Sequence, residues 1–236
     1  MKRIFFIHGD KGGVGKTEVA KRMAAVMLQA EHPVTLVDGD NKNPGLHAAF
    51  QGGKRDVHCI NVMTPKGRDS LFDVIAESPG DVLIDLPARG SDVTARLNQD
   101  GASEDGFSLP LLMAEIDAEL TILFVIDQTR SPIVALREEM KALPETTKWI
   151  VVRNWREDRA FTLFDTTQTK ADLEARGAAV IDLIRLDPRV NDILENAGLN
   201  LISAQTSDKL SMLQKMRVKA ALRSWSEQMQ IAGLLE

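Results

Sequence analysis

The chain of 236 residues holds a single cysteine, Cys59, so no disulfide can form within it. Its place in the hydrophobic run Cys59–Val62 predicts a buried, reduced thiol of the kind a cytosolic protein carries. Long apolar runs are missing as well. The longest are strand-sized, far short of the roughly 20 residues that cross a bilayer. Behind Met1-Lys2-Arg3 only Ile4 to Ile7 precede His8 and Gly9, too little for a secretory leader. The histidines His8, His32, His47 and His58 show no paired metal-ligand spacing, and neighbours such as His58 and Cys59 would face opposite sides of a strand. Basic residues are not in excess. With 29 Lys and Arg against 34 Asp and Glu the net charge is −5, which argues against a surface coated in nucleic acid but allows a local basic patch.

What is present is the mix of an ordinary soluble globular protein, 44% hydrophobic and 27% charged, in a chain long enough to bury a sizeable core. Short runs rich in Ile, Val and Phe predict strands at Arg3–His8, Val34–Val37, Cys59–Val62, Val82–Asp85, Thr121–Ile126, Trp149–Val152 and Ala179–Leu183. Continuous apolar strands are buried on both faces, as in a parallel sheet between helices. Helical spacing falls at Lys16–Ala30, Leu71–Ala76, Ile133–Leu143, Phe161–Arg176, Val190–Asn196 and about Gln205–Gln230. The alternation predicts an α/β fold: a doubly wound, mostly parallel sheet flanked by helices, in one domain over residues 1–236. Arg89–Leu109 breaks the pattern. It is polar, with Gly90, Gly101 and Gly106 and acids at Asp100, Glu104 and Asp105, and reads either as a surface loop or as a segment that responds to ligand.

Chemistry is densest in FFIHGDKGGVGKTEVAKRM, where a hydrophobic strand enters a Gly-rich turn, then Lys-Thr, then an amphipathic helix. Gly12, Gly13 and Gly15 let backbone wrap phosphates, and the N–H groups of Val14 through Glu18 point at the anion with help from the helix N-terminus. Lys16 would reach the β- and γ-phosphates, and the Thr17 hydroxyl would bind Mg²⁺. A strand ending in TLVDGDNKNPG leaves Asp38 and Asp40 at the carboxyl edge of the sheet, where such folds place ligands. Another, DVLIDLPARG, ends in Asp85, a carboxylate suited to an Mg²⁺ hydration shell. Asn154 closes VVRN, offering both a donor and an acceptor to an adenine edge.

KGGVGKT resembles the deviant Walker A motif of the ParA/MinD family of ATPases, a likeness that runs over about residues 1–200. The resemblance implies ATP and Mg²⁺ as cofactors, and a sandwich homodimer in which Lys11 crosses to the partner's nucleotide. It implies that Asp40 places the attacking water, that Asp38 supports Mg²⁺ through water, and that Asp85 belongs to the Walker B strand. It implies that Asn154, with Asp187 and Pro188 in RLDPRV, lies near adenine. Two residues depart from the family pattern. Asp10 stands where Gly, Gln or Pro is usual, and Glu18 replaces a small hydroxyl residue. No amino-terminal DNA-binding extension precedes the motif, as in the family's short members.

Lys209, Lys215, Arg217, Lys219 and Arg223 form a basic cluster near the carboxyl terminus, interleaved with Leu210, Leu213, Met216, Leu222, Trp225 and Met229 at helical spacing. It reads as a packed helix with a solvated basic face, as a patch for non-specific DNA backbone, or as a membrane helix of the MinD kind. By resemblance the expectation is a cytoplasmic ParA-like ATPase in plasmid or chromosome partition, or beside conjugative transfer, stimulated by a partner protein. The alternatives are a membrane-cycling positioning ATPase and an ATP-using small-molecule enzyme.

Overall fold

The computed structural model describes residues 1–51, 56–98 and 108–235. The chain runs β1 (Lys2–His8), α1 (Lys16–Gln29), β2 (Val34–Asp38), α2 (Gly45–Phe50), β3 (Val57–Cys59), α3 (Pro65–Glu77), β4 (Asp81–Asp85), α4 (Gly90–Leu97) and α5 (Leu109–Glu115). There follow β5 (Ala118–Ile126), α6 (Arg130–Ala142), β6 (Lys148–Asn154), α7 (Thr162–Asp165), α8 (Gln168–Ala175), β7 (Ala179–Leu183), α9 (Pro188–Asn196), a 3-10 turn (Ser203–Gln205) and α10 (Met212–Ile231). The seven strands lie in the order β3-β2-β4-β1-β5-β6-β7, and every described pairing is parallel.

Alternation along each strand divides the core in two. Phe5, Ile7, Leu36, Leu83, Leu123 and Val152 face α1, α2, α9 and α10. Ile4, Phe6, Val37, Ile84, Phe124 and Val151 face α3 to α8. A side-chain period of two buries both faces only when helices cover both, which is what the apolar strands required. Central β1 lies between β4 and β5, so its carboxyl end opens where the windings diverge, the place such sheets use for ligands.

Several elements differ from expectation. The edge strand β3 begins two residues earlier, at Val57, and ends at Cys59, which is exposed rather than buried. The expected helix at 161–176 is two helices, because the Thr167 side chain caps a fresh start by accepting from the Lys170 amide. Within the polar stretch after Arg89, Gly90–Leu97 is helical, whereas Asp100, Gly101, Glu104, Asp105 and Gly106 fall outside the described residues. The last helix starts at Met212, where Ser211 and Gln214 form a capping box. Its buried stripe is Val218, Leu222, Trp225 and Met229; Leu213 and Met216, expected in that stripe, are exposed. No described helix is long and apolar enough to cross a membrane.

The exposed position of Cys59 has a direct test. Native protein should take up one equivalent of a maleimide at Cys59 without denaturant, with no loss of helical circular dichroism. A thiol that reacts only after unfolding would contradict the exposed edge.

Candidate functional site

The P-loop is positioned by burial at both ends. Val14 is fully buried and anchors the turn, whereas Gly12 and Gly13 stay exposed. Gly13 (φ 72°) and Gly15 (φ 111°) adopt the left-handed region that glycine tolerates. A Cβ at Gly15 would lie 2.3 Å from Asn154 Nδ2, so the end of β6 closes directly on the loop.

Lys16 opens α1 with 7% of its surface exposed. Its Nζ donates to the Lys11 carbonyl at 3.4 Å and makes no ion pair among the described residues. Burial lowers its pKa, and the nearby Asp85, Asp10 and Asp40 carboxylates offset only part of that. A buried ammonium without a bonded anion is costly, which makes this loop receptive to phosphate.

The Asp85 carboxyl, 3% exposed, is the acidic counterpart. Burial pushes its pKa to about 7, against hydrogen bonding from the Thr17 hydroxyl and the pull of Lys16. Its Oδ1 has no partner among the described residues. An orphaned carboxylate oxygen beside a threonine hydroxyl is a donor set that fits a hard divalent cation such as Mg²⁺. Asp38 plays a different part. Its Oδ1 accepts from the Asp40 amide at 3.1 Å, and Oδ2 from Leu46 and His47 at 2.9 and 3.0 Å. It fastens the loop after β2 to the start of α2. Asp40 Oδ1 accepts from the Lys42 and Asn43 amides at 3.1 and 3.2 Å. Gly45 brings α2 against Thr17: a Cβ there would lie 2.7 Å from the threonine methyl.

Lys11 is held within its own chain. Its Nζ lies 2.9 Å from Asp127 Oδ2 and 3.4 Å from Thr129 Oγ1, at the end of β5. Burial alone would raise the Asp127 pKa, but the Lys11 and Thr129 donors hold it below the usual carboxylate range. Asp10 is tied to the segment after β4. Its carboxylate accepts from Ser91 in the first turn of α4, and its carbonyl accepts from the Arg89 amide at 3.1 Å. Arg89 itself takes a left-handed φ of 62°, unusual for a non-glycine residue. Beneath these contacts His8, fully buried, stacks on Phe124 with Nε2 3.2 Å from Glu139, which also accepts from Thr94 of α4. The strand entering the P-loop is thus joined to α4 at several points.

At the end of β6, Asn154 spends its amide on the Val14 carbonyl at 2.8 Å, and just beyond it Arg156 donates to the Gly13 carbonyl at 2.8 Å. A cavity of about 290 Å³ opens beside them, walled by Glu18, Arg22, Asn154, Arg156, Arg185 and Asn191 among others. Asp187 and Pro188 do not reach it. Pro188 is the first residue of α9, while Asp187 caps that helix and pairs with Arg217 and Arg189; the Arg189 hydrogen bond leads in lowering its pKa. Leu186 and Arg185 take the expected places on the wall. The patch at α10 is correspondingly smaller: Arg217 is engaged, while Lys209, Lys219 and Arg223 remain exposed and Lys215 half-buried. Asp127 carried no local motif; Arg22 and Arg185 lie within the P-loop and RLDPRV stretches, and Arg156 stands two residues after Asn154, but none was singled out by type or spacing.

A family model for the CobQ/CobB/MinD/ParA nucleotide binding domain matches residues 5–199. Protein MobD of Acidithiobacillus ferrooxidans is 28% identical over 202 residues, 85% of either chain. The fold matches the septum site-determining protein MinD of Pyrococcus horikoshii OT3 in its Mg-ADP complex, with a TM-score of 0.54 at 16% identity over 99% of this chain and 98% of that one. It also matches a Borrelia burgdorferi B31 protein assigned to plasmid partition and bound to AMPPNP, with a TM-score of 0.52 at 13% identity over 96% and 98%.

Two substitutions probe the buried charges. Lys16→Ala should abolish ATP affinity in calorimetry while leaving the fold intact. Asp85 has a folded pKa raised above its unfolded value, so the ligand-free protein should lose stability as pH rises from about 4 to about 7, by at most about 4 kcal/mol. Asp85→Asn should flatten that profile and raise the melting temperature at pH 8. A parent whose melting temperature is level across this range would refute the assignment.

Proposed function

The chain belongs to the CobQ/CobB/MinD/ParA nucleotide-binding family and is an ATPase of the ParA/MinD type, and on that premise we propose that it is an ATP-dependent dimerisation switch that partitions or positions DNA. The observation that supports this most is Lys11. It stands outside the turn that wraps the phosphates, and its ammonium rests on Asp127 at the rim of the site. A lysine held at the rim is placed to leave its own chain and reach a second copy's nucleotide. Dimerisation would then exchange the Asp127 carboxylate for phosphate, two anions competing for one cation.

Within the site each group has a role that its surroundings support. Amides of Val14 to Glu18 cradle phosphate, and Lys16 compensates charge on its outer oxygens. Thr17 and Asp85 would hold Mg²⁺, which when bound neutralises the β- and γ-phosphates. Asp40 offers its outer oxygen to orient the attacking water, fixed by the Asp38 contacts behind it. Lys219 and Arg223 on α10, with Lys209 in the turn before it, offer exposed basic groups suited to DNA backbone, and Lys215 is half-buried on the same helix. A partner protein would stimulate hydrolysis, and conjugative transfer is a further setting for the same switch. One observation favours membrane cycling as the second reading: Met212, Leu213 and Met216 are exposed beside these basic residues.

Gel filtration with ATP and ADP tests the switch. The parent should dimerise with ATP alone, and Asp40→Ala should hold that dimer for longer. Asp127→Asn should release Lys11 and lower the ATP concentration needed for dimer by about tenfold, the order expected for one charge-assisted contact. A monomer under every condition would falsify the switch. Reversing Lys209, Lys219 and Arg223 to Glu should abolish DNA binding and its salt dependence. Co-sedimentation with anionic vesicles but not with DNA would decide for the membrane.

A further inference from the structure

Glu18 puts a carboxylate where a bound nucleotide calls for neutral or positive groups. It is the third residue of α1, directly after Thr17, at a helix N-terminus whose amides face the phosphates. An acid in this turn suits the empty helix but opposes a triphosphate on the same amides. The structure shows how the conflict is relieved. Arg22, one turn further on and 2% exposed, donates through Nε to Glu18 Oε1 at 2.7 Å. Its Nη1 donates to the Ile184 carbonyl at 2.9 Å, tying α1 to the chain beyond β7. The guanidinium therefore supplies a fixed positive charge beside the carboxylate and sets its direction.

That direction is sideways, toward the base. Glu18 lines the 290 Å³ cavity together with Asn154, Arg156 and Arg185, and also a neighbouring cavity of about 230 Å³ between α1, α2 and α9. Its side chain is 34% exposed, and Oε2 takes no partner among the described residues. From this geometry we infer that Glu18 accepts hydrogen bonds from the ribose hydroxyls of the bound nucleotide and sets a preference for ribonucleotides, an inference that rests on the nucleotide reading of the P-loop. A carboxylate accepts and does not donate, so its ligand must present N–H or O–H groups. The α- and β-phosphates occupy the loop amides. The sugar follows the α-phosphate through a single oxygen and methylene, so its hydroxyls are the first donors to reach residue 18. The base amine lies beyond, on the Asn154 side of the same cavity.

Calorimetric titration with ATP and 2′,3′-dideoxyATP, each with Mg²⁺, tests this in the full chain. The parent should bind ATP about tenfold or more tightly than the dideoxy analogue, the order for one hydrogen bond to a charged group. In Glu18→Thr the two affinities should agree within about twofold. Removing an anion near the phosphates strengthens both nucleotides alike, so the ratio of affinities, rather than either one, is the readout. A parent that binds the two equally overturns the proposal, as does a Glu18→Thr variant that keeps the parent's ratio; either result leaves the nucleotide site standing. A parent that binds neither overturns the nucleotide reading as well. Where Glu18→Thr fails to fold, Glu18→Leu, helix-favouring and without an acceptor, supplies the same ratio.

Discussion

Two opposite charges buried beside the carboxyl ends of neighbouring strands, β1 and β4, and kept apart, govern the design of this site. The Lys16 ammonium and the Asp85 carboxyl are almost wholly removed from water, yet they form no ion pair with each other. Each is penalised by burial, as the downward shift of one and the upward shift of the other record. A direct pair would relieve both and leave nothing for a ligand to gain. Held apart, they suit an object with negative charge at one end and a divalent cation at the other. Such separation destabilises the empty protein and is the physical source of its affinity.

Around this pair the sheet distributes functions by strand. β1 brings the loop, β2 brings Asp38 and Asp40, β4 brings Asp85, β5 brings Asp127 and β6 brings Asn154, all at carboxyl ends. Each side chain is fixed by a partner: Asp10 by Ser91 and Lys11 by Asp127 across long stretches of sequence, Asp38 by the nearby amides of α2 and Glu18 by Arg22 one helical turn on. Movement in the segment after Asp85 is therefore felt at the P-loop through Asp10, and movement of Lys11 is felt at β5.

The division between what was legible in the sequence and what was not follows the range of the interactions. The phosphate loop, the strand ends at Asp38 and Asp85 and the parallel sheet are local patterns, and each stands where its residues indicated. Cys59 was misjudged because a hydrophobic run was taken as one strand, whereas the strand is displaced and lies at the sheet edge. Leu213 and Met216 are a helical interval apart, but at about 100° per residue they fall on the face opposite Val218, Leu222, Trp225 and Met229, and so outside the contact with α1. Asp127 acts only through the folded chain, so no spacing announced it, and the sole signal for Arg156 was its place two residues after Asn154. Asp187 was placed by analogy with a loop whose carboxylate here answers an arginine on α10 instead.

The short β3 edge has a consequence for how the molecule tolerates crowding. A strand at a sheet boundary presents unpaired amides and carbonyls, and a long flat one recruits further chains. Here that boundary is three residues long, and two of them, His58 and Cys59, project into solvent. So little template is offered at this edge that copies gathered at high local density would find no ready seam along it.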